Sequence, residues 1–187
     1  MGSPLATFSA ALEARDPYLR GHSARVTSFA EGLALTLGWK GRRLEALRIG
    51  GSLHDVGKIA VNASVLQKTG PLTDAELTQI RTHPVAGARL LEGVVDLQPA
   101  LPYVLHHHER WDGEGYPHRL RGERIPLEAR VLGVADAFDA MTSFRPYRPA
   151  LSIEQALGEL ERFAGTQFDP TLAELFVDGW RRGSIAA

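Results

Sequence analysis

Residues 126–141 read PLEARVLGVADAFDAM. Leu127, Val131, Val134, Ala135, Phe138 and Met141 recur at helical spacing and form one long apolar face, and Pro126 fits a first helical position. Two carboxylates, Asp136 and Asp139, interrupt this apolar segment. An unpaired buried charge is costly, so Asp136, set among Val134, Ala135, Ala137 and Phe138, needs a cation or a hydrogen-bonding partner.

The same period extends through the chain. Val26, Phe29, Ala30, Leu33 and Leu37 mark another helix, closed by Gly38. Thr73 with Glu76 and Ser152 with Gln155 are capping-box pairs. The first opens a helix expected to run to about His83, where Pro84 disturbs it or starts the next. The second precedes Leu157, Leu160 and Phe163, with Gly165 as a stop. No alternating strand pattern and no internal repeat is present. Trp111 to Ile125, with three glycines and one proline, is the longest irregular stretch, and loops of that length are often functional. The expectation is an all-α, single helical bundle of about seven to nine helices around a metal centre, one domain over residues 1–187.

Composition narrows the functions. A net charge of −1 gives no broad basic field for nucleic-acid polymers or anionic membranes. No apolar run reaches the length of a membrane span, so no membrane insertion of this segment is expected. The chain has no cysteine, which removes disulfides, thiolate metal sites and thiol catalysis and fits a reducing, cytoplasmic setting. The opening MGSP reads as a cloning remnant, with the natural chain continuing upstream.

Seven histidines are present, and three stand together in VLHHHERWDGEGYP, residues 104–117. Further candidate ligands are His54-Asp55 in LHDVGK, His83 in RTHP, Asp136, and His22 in GHSAR. Each alone has a bland explanation as a cap, a surface residue or half of an ion pair. Together, His54, Asp55, His83, two of the triplet and Asp136 exceed what one tetrahedral ion needs. Imidazole with carboxylate and no thiolate suits Mn, Fe, Zn, Ni or Co. Two such ions roughly 3.5–4 Å apart can hold a hydroxide between them and polarise a phosphoryl oxygen. Asp139, on the same helix face as Asp136, can orient a ligand or the attacking water. Lys58, four residues after His54, would be repelled by two cations unless an anion such as a substrate phosphate lay between. Arg145 and Arg148 flank a proline turn and suit phosphate oxygens.

LHDVGK, HP, HHHERWDGEGYP, VADAFDA and RPYRPA, in this order and spacing, resemble the HD-GYP subgroup of the HD phosphohydrolase superfamily. The likeness runs from about Leu12 to near Leu175. It implies a phosphodiesterase that hydrolyses cyclic di-GMP to the linear dinucleotide pGpG and, in some members, onward to GMP, serving as the output module of a larger signalling protein. It implies two divalent metal ions, Fe or Mn before Zn, Ni or Co. By position the ligands are His54, Asp55, His83, His107, His108 and Asp136, with Asp55 bridging and His106 left aside. Asp55, Lys58 and Asp139 carry the catalytic roles, and Lys58, Arg145 and Arg148 match phosphate-binding positions. Glu109, Gly115, Tyr116 and Pro117 match a signature loop that shapes the site and contacts partners such as diguanylate cyclase (GGDEF) domains. Trp111 and Tyr116 are candidates for contact with guanine. Some relatives hold a third metal through a glutamate four residues before the histidine of GHS. That position is Tyr18 here, so His22 is expected to support the centre from behind the ligands. Phe144 departs from an aspartate common in relatives. Three other functions fit the same blocks: a binding or interaction module with little turnover, a phosphodiesterase for a related cyclic dinucleotide such as the mixed GMP-AMP ring, and a phosphohydrolase for mononucleotides.

Overall fold

The computed structural model describes residues 21–144 and 149–186. Nine α-helices occur among them: α1 (His22–Thr36), α2 (Arg42–Leu53), α3 (Ala63–Leu66), α4 (Asp74–Ile80), α5 (His83–Leu91), α6 (Leu101–His106), α7 (Leu127–Thr142), α8 (Ile153–Arg162) and α9 (Pro170–Arg181). Short 3-10 segments cover Val56–Ala60, Val95–Ala100 and Gly122–Arg124. No strand is present among the described residues, apart from one isolated bridge between Ala164 and Phe168. The expected all-α bundle is what the described residues form.

Local signals set most helix ends. Thr73 and Glu76 close a reciprocal capping box on α4, and Ser152 and Gln155 do so on α8. The Asp169 carboxylate accepts from Thr171 N and Leu172 N to start α9. Gly38 and Gly165 follow α1 and α8 with positive φ. Two boundaries differ from the sequence expectation. The helix opened by Thr73 ends at Ile80, not near His83, because Pro84 enters the first turn of a new helix, where its missing N–H is not needed. Pro126 is the residue before α7 rather than its first; its ψ of 136° is extended while its carbonyl already accepts from Ala129 N and Arg130 N.

The apolar faces of α1, α2, α7, α8 and α9 meet in one core. Phe29, Phe138, Phe176 and Trp180 pack edge-on and tilted within it, with Phe138 centroids 5.3 Å from Phe29 and 4.7 Å from Trp180. Burying each such side chain contributes roughly 1.5–3 kcal/mol, so this cluster outweighs any exposed ion pair. A smaller cluster of Leu53, Val56, Leu91 and Val104 joins α2, α5 and α6. The two cores leave the C-terminal ends of α2 and α6, the start of α5 and the middle of α7 facing one another. His54, Asp55, His83, His107, His108 and Asp136 come together in that seam.

No helix is long and apolar enough to cross a membrane among the described residues.

Candidate metal centre

His54 follows the last residue of α2, and Asp55 leads into the 3-10 turn Val56–Ala60. His83 opens α5, His107 and His108 follow α6, and Asp136 projects from α7. His22 opens α1. His54, Asp55, His83, His107 and His22 are all buried. His108 and Asp136 are half-buried, facing a cavity.

These side chains form two groups. In one, ligating atoms of Asp55, His83, His107 and His108 lie within 4.8 Å of one another; in the other, His22, His54 and Asp136 do. Asp55 connects them. Its Oδ1 faces His83 Nε2 at 3.2 Å and His107 Nε2 at 4.0 Å. Its Oδ2 faces His54 Nε2 at 3.4 Å and His22 Nε2 at 3.8 Å. His22 Nε2 lies 3.2 Å from Asp136 Oδ1, and His54 Nε2 lies 3.9 Å from the same oxygen. Ligands about 2.0–2.2 Å from a tetrahedral ion sit roughly 3.4 Å from one another, so both groups have the span of an ion's coordination shell.

The donor chemistry fits a cation independently of those distances. A carbonyl oxygen can only accept. The bonds from Nδ1 of His54 to Gly51 O (2.7 Å), of His83 to Ile80 O (2.8 Å) and of His107 to Val104 O (3.0 Å) therefore put a proton on each Nδ1. In the neutral imidazoles each Nε2 then carries a lone pair aimed at the seam. His83 Nε2 and His107 Nε2 are 3.3 Å apart, and His54 Nε2 is buried with no hydrogen-bond partner. Converging lone pairs of this kind repel one another unless a cation accepts them. The backbone carbonyls thus act as the outer partners that fix each ring.

Burial drives His107 far below the usual histidine range and pushes His108 down to about 3, so both rings are neutral at physiological pH, as ligands must be. Asp55 is held well below the carboxylate range: burial works the other way, but Lys58 and His54 overcome it. Lys58 Nζ donates to Asp55 Oδ2 at 2.7 Å.

His22 differs from the other rings. Both of its nitrogens face carboxylates: Nδ1 lies 2.7 Å from Asp139 Oδ2 and Nε2 3.2 Å from Asp136 Oδ1. Burial opposes protonation, but hydrogen bonds to Asp136 and Asp139 prevail and raise its pKa to about 9. Asp139 is in turn held by Arg25, whose Nε donates to Oδ1 at 2.5 Å. Asp139 therefore orients the His22 ring rather than facing the seam. Asp139→Asn is expected to lower metal retention and turnover about 10–100-fold while leaving helical circular dichroism intact. Metal analysis beside a turnover assay checks this; unaltered metal content in that variant removes Asp139 from the role.

The raised pKa carries a pH prediction with a definite sign. In the metal-free protein His22 holds a proton on Nε2 below about pH 9, and an ion at that nitrogen must displace it. Affinity at that group is expected to rise about tenfold per pH unit from pH 7 to 8, with about one proton released per ion. Calorimetry in buffers of different ionisation enthalpy reads that proton. The metal-free fold has the opposite dependence. Protonated His22 contributes stability that is fully present below the unfolded pKa of about 6.5 and is lost as pH rises through about 9.

The signature loop is tied to the centre. The buried Glu109 carboxylate accepts from His118 N at 2.7 Å and Leu120 N at 3.0 Å, so it holds the loop rather than a ligand. A Cβ on Gly115 would lie 2.4 Å from Arg110 N, so this close return of the loop requires glycine. Tyr116 stacks on the His108 ring with centroids 4.8 Å apart. Beside the ligands opens a cavity of about 290 Å³, with His108 and Asp136 on one wall and Trp111, Tyr116 and Phe168 on others. Arg145, Arg148 and Tyr18 lie outside the described residues, and Phe144 is 74% exposed.

Sequence reasoning did not identify Arg25 as the anchor of Asp139, nor foresee that His22 Nε2 lies 3.2 Å from Asp136 Oδ1. The spacing of His22 and Arg25, three residues apart on one helix face, was the available signal.

A family model described as HD domain matches residues 6–172. The response regulator RpfG of Xanthomonas campestris, a cyclic di-GMP phosphodiesterase, is 40% identical over 94% of this chain and 47% of its own length. A 3'3'-cGAMP-specific phosphodiesterase 2 of Vibrio cholerae is 36% identical over 91% of this chain and 33% of its own. The chain thus spans less than half the length of these curated relatives. Among solved structures, Bd1817 of Bdellovibrio bacteriovorus, an HDG"Y"P protein, aligns over 86% of this chain and 51% of its own with a TM-score of 0.69 at 21% identity. The HD domain of the L. monocytogenes phosphodiesterase PgpH aligns over 97% of this chain and 99% of its own, with a TM-score of 0.66 at 19% identity. These two likenesses are of fold.

Proposed function

Because the chain belongs to the HD domain family, in its HD-GYP branch, we propose that it is a metal-dependent phosphodiesterase that hydrolyses cyclic di-GMP to pGpG, GMP or both. The observation that carries this reading is the pair of ligand groups sharing Asp55 at the wall of a cavity. His22, His54 and Asp136 would hold one divalent ion, and His83, His107 and His108 the other, with one Asp55 oxygen toward each. The donor set of imidazoles and carboxylates favours Fe or Mn, and also admits Zn, Ni or Co. When bound, the pair supplies Lewis acidity toward the phosphodiester and the attacking water.

The chain's own groups do the rest. Backbone carbonyls hold the rings of His54, His83 and His107, Asp139 with Arg25 holds that of His22, and Tyr116 stacks on that of His108, so the ligands need little rearrangement. Lys58 sits on Asp55, within reach of a phosphate brought to the centre, where its ammonium would offset charge on the leaving oxygen. Arg145 and Arg148 are assigned to the other phosphate oxygens. The cavity is lined by Trp111 and Tyr116, which suit contact with a nucleotide base. Membership of the HD-GYP branch extends the proposal to a setting: an output domain of a longer cytoplasmic signalling protein, its Gly115–Tyr116–Pro117 loop available to a GGDEF domain.

A mixed GMP-AMP ring is the second substrate reading, favoured by the likeness to the cGAMP-specific relative. The test is incubation of anaerobically purified, Mn- or Fe(II)-loaded protein with either ring. Linear pGpG from cyclic di-GMP, faster than turnover of 3'3'-cGAMP or a mononucleotide, is the expected result. Tight binding without product would replace the enzyme reading with that of a binding module.

A further inference from the structure

We infer that the chain carries another cation site, outside the paired centre, formed by His106, Glu109 and His118 and suited to a borderline divalent metal such as zinc. Ligating atoms of these three residues lie within 4.8 Å of one another. The buried Nδ1 of His106 has no hydrogen-bond partner. It faces Glu109 Oε1 at 3.8 Å, too long for a hydrogen bond but close to the separation of two ligands on one tetrahedral ion. The His106 and His118 rings are neighbours, tilted at 53° to one another with centroids 5.3 Å apart.

The carboxylate is already set for this role. Its side chain is shielded from solvent, and backbone N–H groups of His118 and Leu120 fix its two oxygens. Each oxygen has two lone pairs, so Oε1 keeps one for an ion after accepting from His118 N. His118 is exposed, so its side chain is free of the packing that fixes the other two and can adjust to an ion. The fourth position is left to water.

An ion there would tie the signature loop to the end of α6. His118 directly follows Tyr116 and Pro117, and Tyr116 stacks on His108 at the cavity wall. Occupancy would therefore restrain the loop that borders the cavity, which makes this a regulatory position and not a third member of the centre. The inference does not depend on the catalytic reading, since none of the three residues belongs to either ligand group there.

Zinc is the probe. After equilibrium dialysis against zinc, metal content is measured for the wild type, His118→Ala, His106→Asn and His118→Cys, the last under reducing conditions. The wild type is expected to hold one equivalent more than His118→Ala or His106→Asn. His118→Cys is expected to regain it, because a thiolate can replace the imidazole on zinc; a merely structural histidine, or an ion pair with Glu109, would not be rescued by cysteine. In Asp55→Ala the equivalent that depends on His118 is expected to persist. Equal zinc content in wild type and His118→Ala overturns the site.

Discussion

Asp55→Ala is expected to lose most bound metal and all measurable turnover, with helical circular dichroism largely unaltered. The two oxygens of this carboxylate face both ligand sets, at 3.2 Å to His83 Nε2 and 3.4 Å to His54 Nε2. Its loss removes a ligand and a negative charge from each ion at once. Even groups behind a ligand typically cost 10–100-fold in affinity or activity when removed, so a shared ligand should exceed that range. The fold should tolerate the change, because Asp55 lies in the seam between the two apolar clusters and belongs to neither. Asp55→Asn separates charge from shape: the isosteric amide is expected to fail as well. Metal quantitation and the product assay on both variants check this, and an Asp55→Ala protein with full metal and activity refutes the shared role.

The second large effect falls on Gly57, and it falls on stability. A Cβ at this position would lie 1.9 Å from His83 O and 2.4 Å from Gly87 N. Both neighbours are backbone, so neither can swing aside as a side chain would. Gly57→Ala must push the 3-10 turn away from the start of α5. Overpacking of this kind commonly costs about 1–3 kcal/mol, and a clash between backbones belongs at or above the top of that range. The same displacement separates Asp55 from His83, so metal retention is expected to fall along with the melting temperature. Thermal unfolding with and without metal reads both; a Gly57→Ala protein that melts like wild type would show that the close approach is relaxed in solution.

What was legible in the sequence is local or periodic. The apolar stripes of α1, α7 and α8 and the two capping boxes are written within a few residues of chain, and they appear where expected. The seam was legible only as an inventory of side chains with metal-binding chemistry. Which of them meet is decided by how α1, α2, α5, α6 and α7 pack, and a single sequence does not state packing. His22 shows the limit: the absent glutamate at Tyr18 argued for a supporting role, whereas the packing of α1 on α7 brings His22 Nε2 within 3.2 Å of Asp136. Glu109 was legible as part of the signature loop, but only the fold shows that the loop's backbone N–H groups of His118 and Leu120 donate to its two oxygens. Gly57 gave no positional signal at all, because its requirement comes from an element 26 residues further on.

The central claim is that two ions share Asp55 inside this seam. Anomalous diffraction from crystals of the manganese-loaded protein tests it most directly. Two peaks are predicted there, about 3.5–4 Å apart, one against His83, His107 and His108 and the other against His22, His54 and Asp136, with the Asp55 carboxylate between them. A seam with a single peak, or with none while the His22 ring still rests on Asp136, would contradict the account.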